Sequence, residues 1–84
     1  MPAITLTYFA AVRAAAGGAT SETYEADSVS AAQAAAIAAH GAELKRLFSI
    51  SSFLINGKAA AQSDLAAPVT QALRVDVLPP FAGG

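Results

Sequence analysis

The chain has 84 residues, of which 55% are hydrophobic and 13% charged, and its formal net charge at neutral pH is −1. This composition fits one folded domain and excludes intrinsic disorder, which needs low hydrophobicity and high net charge. The five basic residues are scattered along the chain. Nucleic-acid binding is therefore excluded, because it depends on clustered Lys and Arg.

Cysteine is absent and His40 is the single histidine, so no thiol nucleophile and no metal site are predicted. The N-terminus lacks the basic segment and apolar run of a signal peptide. The alanine-rich stretch at residues 31–39 is too short to span a bilayer. We therefore expect a cytoplasmic protein without a membrane partner.

The first strand is predicted at residues 3–9, where apolar and polar residues alternate. Ile4, Leu6 and Tyr8 fall on one face, which is the period of a half-buried strand.

A short helical turn is predicted at residues 10–16, and it ends at Gly17 and Gly18 because glycine permits positive φ. Residues 20–26 then predict a second strand, which forms an antiparallel hairpin with the first. We interpret the acidic residues of this region as solvated side chains of an edge strand and its turn: Glu22, Glu25 and Asp27. Glu22 and Glu25 lie on opposite faces of the strand, so the alternative is that one of them sits at the rim of the sheet.

The main helix is predicted from Ser30 to His40 on high-propensity alanine. Ser30 and Gln33 have the spacing of a capping box, and Gly41 provides the end of the helix. His40 is assigned a structural role at the helix C-terminus rather than a catalytic one. Residues 42–50 predict a second, shorter helix.

Residues 52–55 predict a strand, Asn56-Gly57 a tight hairpin turn, and residues 58–61 its short partner strand. An irregular connection at residues 63–71 leads to a last strand at residues 73–78. Its inward side chains are Leu73, Val75 and Val77. These elements predict an α+β domain in which a mixed sheet of about five strands carries one main helix on one face.

The C-terminal segment, residues 79–84, differs from this 1–78 domain. Pro79 and Pro80 cannot continue a strand ladder, so we expect an extended tail. The five residues after Pro79 reach about 17 Å when extended. Gly83 and Gly84 present a terminal carboxylate with minimal bulk, and acyl chemistry there needs prior activation, such as adenylation.

Three segments carry a resemblance to a known family: residues 8–13 (YFAAVR), 55–57 (ING) and 75–84 (VDVLPPFAGG). With them the sequence resembles the small, sulfur-carrying subunit of molybdopterin synthase, a ubiquitin-like β-grasp protein. The PP-x-x-GG ending is the specific part of the match. The sequence departs from the family at residues 70–72, where Thr-Gln-Ala replaces a frequent Asp-Gly-Asp turn.

The resemblance implies that an activating enzyme of the ubiquitin-activating type adenylates the Gly84 carboxylate with ATP. A persulfide donor then supplies sulfur, which leaves a C-terminal thiocarboxylate. In the family, the tail enters the large synthase subunit within a heterotetramer and donates sulfur for the dithiolene of molybdopterin. The chain is then a non-catalytic sulfur-donor subunit that binds no cofactor itself. Beside Gly83 and Gly84, the residues expected at the partner interface are Phe9, Arg13, Leu78, Pro79, Pro80, Phe81 and Ala82.

Other functions of the same domain stay open. One is a sulfur carrier for thiamine or cysteine biosynthesis, and another is a modifier conjugated to other proteins. A third is a β-grasp module that binds a partner non-covalently and whose tail has no chemistry.

Overall fold

The computed structural model describes residues 1–80. Within that range it has five strands: β1 (Ala3–Tyr8), β2 (Ser21–Glu25), β3 (Ser52–Ile55), β4 (Lys58–Ala59) and β5 (Leu73–Leu78). The helices in the same range are α1 (Ala11–Ala15), α2 (Val29–His40), α3 (Ala42–Ile50) and α4 (Gln62–Ala66). No helix in this part of the chain is long and apolar enough to cross a membrane.

The five strands form one mixed sheet in the order β2-β1-β5-β3-β4. β1 and β5 are parallel neighbours at its centre, while the β1–β2, β3–β5 and β3–β4 pairs are antiparallel. The alternation predicted for the first strand is confirmed, because Ile4, Leu6 and Tyr8 are all fully buried. The mixed α+β architecture is confirmed as well.

The main helix α2 packs on the inner face of the sheet, and α3 packs beside it. α2 buries Val29 and the small side chains Ala32 and Ala36, so its axis can approach the sheet closely. α3 adds larger apolar groups, including Phe48. The centre of the Phe48 ring lies 6.3 Å from the centre of the Tyr8 ring. It lies 5.8 Å from the centre of the Phe53 ring, which it meets edge-on.

The capping box predicted at Ser30 is wrong, because α2 begins one residue earlier than that serine. The N-cap is Ser28, whose extended backbone lets its Oγ accept a hydrogen bond from the Ala31 N–H at 3.0 Å. Ser30 lies in the first turn, where its hydroxyl donates instead to the Leu65 carbonyl at 2.9 Å. That bond joins α2 to α4.

The connection predicted as irregular at residues 63–71 contains the helix α4 at its start. Leu65 is buried in the core, and the Asp64 carboxylate accepts a hydrogen bond from the Ala61 N–H at 2.8 Å. The helix ends before Pro68, and the residues from there to β5 have no helix or strand. The hairpin predicted at Asn56-Gly57 is confirmed, with both residues at positive φ.

Candidate functional site

The parallel pairing of β1 and β5 brings two distant parts of the sequence to one end of the sheet. Tyr8, the last residue of β1, is paired with Val77, so Phe9 follows β1 beside the register position of Leu78, the last residue of β5. Both side chains are half-buried. Of the residues predicted at the interface, the structure thus brings these two together at the base of the tail. We call the surface formed by Phe9, Arg13, Leu78 and Pro80 the tail-root surface.

Arg13 of α1 is held over this surface by two contacts. Its Nε–H donates to the Tyr8 carbonyl at 3.0 Å, and its guanidinium carbon lies 5.7 Å from the centre of the Phe9 ring. The second contact has the geometry of a cation–π interaction. The arginine is nevertheless exposed, so a guanidinium of fixed orientation faces solvent.

The turn between Phe9 and Arg13 has an unusual backbone at Ala10, with φ 53° and ψ −130°. These angles are close to those of the first central residue of a type II′ turn, a position that favours glycine. The Val12 N–H donates to the Phe9 carbonyl at 3.1 Å and closes the turn. Val12, the last residue of the turn, is fully buried in the hydrophobic core and so attaches the turn to the domain.

Pro79 is buried and Pro80 is exposed, so the packed surface of the domain reaches the first proline of the pair. The remaining interface and carrier residues lie outside the described residues: Phe81, Ala82, Gly83 and Gly84. The domain boundary at residues 78 and 79 stays a prediction.

Ile50, the last residue of α3, is an exposed apolar residue that the sequence pattern does not single out. It is 50% exposed, which is unusual for a large apolar side chain in the described part of the chain. It precedes Ser52 by two residues, and Ser52 is paired with Leu78.

A second polar cluster connects the edge strand to the main helix. Glu22 accepts hydrogen bonds at Oε1 from the hydroxyls of Tyr8 at 2.8 Å and Tyr24 at 3.2 Å. His40 Nε2 lies 2.8 Å from each carboxylate oxygen of Glu22. Because a carboxylate only accepts, the His40 Nε2–H is the donor. The interpretation of Glu22 as a solvated side chain is therefore wrong, whereas Glu25 and Asp27 are exposed as predicted.

The electrostatics of this cluster favour an ionised Glu22. Burial by itself would raise the pKa of its carboxyl, but the hydrogen bonds from His40 and Tyr8 outweigh burial and hold that pKa below its ordinary value. Burial and the hydrogen bond to Glu22 raise the pKa of Tyr8 well above that of a free tyrosine. Burial and the charge of Glu22 also raise the pKa of Tyr24. Both tyrosines therefore act as neutral donors to the carboxylate.

The described residues hold no group of three His, Cys, Asp or Glu side chains that could bind a metal ion. One groove among them, of about 510 Å³, is open to solvent and includes Ile55, Lys58, Val69 and Leu73 in its lining. Leu73 begins β5 whereas Leu78 ends it, so this groove and the tail-root surface lie at opposite ends of the sheet.

No protein-family model and no curated protein matches the sequence. Solved structures do match it along nearly its whole length. SAMP1 from Haloferax volcanii has a TM-score of 0.78 at 26% identity, covering 98% of this chain and 99% of that one. The small archaeal modifier protein 1 (SAMP1) of Methanosarcina acetivorans has a TM-score of 0.82 at 20% identity, with 100% and 98% covered.

A third similar structure is a protein–protein complex of subunits 1 and 2 of the molybdopterin-converting factor from Helicobacter pylori 26695. The matching chain has a TM-score of 0.65 at 17% identity, with 98% of this chain and 99% of that one covered. Together with the sheet order and the helical layer, these matches confirm that the chain has the ubiquitin-like β-grasp fold.

Proposed function

We propose that this protein is a sulfur carrier, and specifically the small subunit of a molybdopterin synthase. The observation that carries the proposal is the pairing of Tyr8 with Val77, which brings Phe9 next to Leu78 at the base of the tail, with Arg13 over the Phe9 ring. The PP-x-x-GG ending follows directly from that surface in the sequence. The similarity to a complex of molybdopterin-converting factor subunits supports a large-subunit partner.

The proposed chemistry takes place at the Gly84 carboxylate. One of its oxygens attacks the α-phosphorus of ATP, which forms an acyl adenylate and releases pyrophosphate. The terminal sulfur of a persulfide then attacks the acyl carbon, and AMP leaves. A thiol reduces the resulting acyl disulfide, which releases the thiocarboxylate and a new disulfide. The carrier contributes the acyl group and the docking surface, while the activating enzyme and the large subunit contribute the catalytic groups.

The proposal is tested by the intact mass of the protein after incubation with its activating enzyme, ATP and a persulfide donor. We expect a gain equal to replacing one oxygen by one sulfur, located at Gly84 by fragmentation. The matched control is the protein lacking Gly84, which should gain nothing. Absence of the gain, with an enzyme active on another carrier, would contradict the carrier role.

The pathway is tested separately by supplying the thiocarboxylated protein to a molybdopterin synthase large subunit. Formation of the dithiolene product supports the molybdopterin assignment. If a competent large subunit yields no product although the thiocarboxylate is present, the sulfur serves another pathway, such as thiamine or cysteine biosynthesis.

A second candidate function is covalent modification of other proteins, which the two modifier proteins among the similar structures favour. In that case the activated Gly84 acyl group is transferred to an amine instead of accepting sulfur. Conjugates of higher mass that contain Gly84 in an amide bond to lysine, formed in cell extract with ATP, would distinguish this function from sulfur transfer.

A further inference from the structure

Ala10 has an unfavourable backbone conformation, and it directly follows Phe9 at the base of the tail. Of the non-glycine residues in the described range, only Ala10 and Asn56 have positive φ. Asn56 belongs to an Asn-Gly hairpin turn, where this conformation is common. Alanine has no such preference, so its backbone at Ala10 costs free energy that glycine would not incur.

The contacts on either side of Ala10 explain what this conformation achieves. It reverses the chain between Phe9 and Arg13, so that the arginine returns over the aromatic ring and reaches the Tyr8 carbonyl. The Arg13 N–H also donates to the Ala10 carbonyl at 3.1 Å, which fixes the start of α1. Without this reversal, Phe9 and Arg13 would not share one surface.

Arg13 uses only one of its three guanidinium nitrogens within the described residues. Its Nε–H is used by the Tyr8 carbonyl, whereas its terminal nitrogens have no hydrogen-bond acceptor among residues 1–80. A fixed guanidinium with two outward nitrogens matches the geometry of a carboxylate, which accepts two parallel hydrogen bonds.

We propose that Ala10 is a positioning residue: its strained turn preorganises the Phe9–Arg13 pair to receive a carboxylate side chain of the activating enzyme. This inference rests on the proposed function, because it assumes that this enzyme binds the tail-root surface. The strain lowers the stability of the free domain, and in return Arg13 does not have to be ordered when the complex forms. Ordering a long side chain at an interface costs enough to weaken binding roughly threefold to tenfold.

Two replacements at position 10 distinguish the effect of backbone strain at this residue from the effect of a rigid turn. Ala10→Gly relieves the strain but frees the turn. D-Alanine at position 10, introduced by chemical synthesis, relieves the strain and keeps the turn, because a D-residue prefers positive φ. Both replacements should raise the melting temperature of the domain, and D-alanine should raise it more. Asn56→Gly, at the opposite end of the sheet, is the control for a remote glycine at positive φ in the measurements at Arg13. Its melting temperature is not compared, because it also loses the hydrogen bond that the Asn56 Oδ1 accepts from the Arg74 N–H at 2.9 Å.

The first measurement is NMR of the Arg13 Nε–H and side-chain protons in the free protein. In the natural chain, in the D-alanine protein and in Asn56→Gly, we expect slow exchange of the Arg13 Nε–H with water and ring-current shifts of the Arg13 side-chain protons from the Phe9 ring. In Ala10→Gly we expect both signatures to be lost. Retention of both signatures in Ala10→Gly would overturn the proposal, and this result does not depend on the proposed function.

The second measurement is ATP–pyrophosphate exchange by the activating enzyme at varied carrier concentration. Ala10→Gly should raise KM for the carrier roughly threefold to tenfold with kcat unchanged, while D-alanine should leave KM unchanged. Arg13→Gln should raise KM too, and added salt should reduce the difference in KM between this variant and the natural chain. Unchanged KM in Ala10→Gly or Arg13→Gln would overturn the inference. Absence of exchange even with the natural chain would instead contradict the proposed function.

Discussion

Glu22 of the edge strand and His40 at the end of the main helix are joined by two contacts of 2.8 Å between Nε2 and the carboxylate oxygens. The pair links β2 to the C-terminus of α2, and two tyrosine hydroxyls complete the coordination of the carboxylate. Both side chains are mostly shielded from solvent, at 18% and 24% exposure for His40 and Glu22. The interaction is therefore better protected from screening than an ordinary surface ion pair.

Replacing Glu22 with Gln should destabilise the domain by about 1–3 kcal/mol at neutral pH, because charge-assisted hydrogen bonds are lost in a shielded site. The pKa of Glu22 is lowered on folding, so its contribution is fully present above the ordinary carboxyl pKa. It is lost as the pH falls through the lowered value. Urea unfolding between pH 7 and pH 3 should show the difference between Glu22→Gln and the natural chain narrowing in acid. A constant difference would contradict this account.

Tyr8→Phe removes a donor to Glu22 while keeping the buried ring, so we expect a loss of about 1 kcal/mol. The same change should raise the pKa of Glu22, because a hydrogen bond to its ionised form is lost. Carboxyl NMR titration together with urea unfolding measures both effects. Tyr24→Phe is the control, and it should have the smaller effect because its hydrogen bond is longer and its side chain more exposed.

Ser28→Ala should cost about 1 kcal/mol of unfolding free energy, because it removes the N-cap of α2. Ser30→Ala removes only the hydrogen bond to Leu65 and should cost less. Chemical unfolding of the two variants under one set of conditions compares them directly. An unchanged unfolding free energy in Ser28→Ala would contradict the assignment of Ser28 as the N-cap.

Phe9→Ala should weaken binding of the activating enzyme by about tenfold or more, since a half-buried aromatic residue at an interface is a common binding hot spot. Ile50→Ala should also weaken binding, with little loss of stability because half of its side chain is already exposed. Val69→Ala is the control, since Val69 is half-buried near the opposite end of the sheet. Titration calorimetry measures the affinities, and equal losses in all three variants would contradict a specific tail-root interface.

The sequence predicts the strands well because their alternation follows directly from burial on one face. Ile4 and Val75 are buried where the period of two places them. It predicts helix boundaries less well, because Ser28 and Ser30 are equally suitable caps and only the path of the chain before α2 selects between them. α4 is short, and its formation depends on the tertiary contacts of Leu65 rather than on local propensity.

The candidate site was predictable in part. The motif YFAAVR drew attention to Phe9 and Arg13, but their proximity to Leu78 depends on the order of the strands, which the sequence pattern does not determine. The Glu22 cluster was not predictable, because its members come from three elements that are adjacent only in the folded chain. The strain at Ala10 was hidden for a different reason, since alanine gives no signal of positive φ.

The position of β5 between β1 and β3 also determines how the domain responds to force on its tail. Three of the six residues of β5, Val75, Asp76 and Val77, have register partners on both sides. A pull along the strand from Pro80 therefore loads the hydrogen bonds to both neighbours at the same time, in shear, instead of breaking them one after another. The domain therefore resists a pull on its C-terminal end better than it would if β5 were an edge strand.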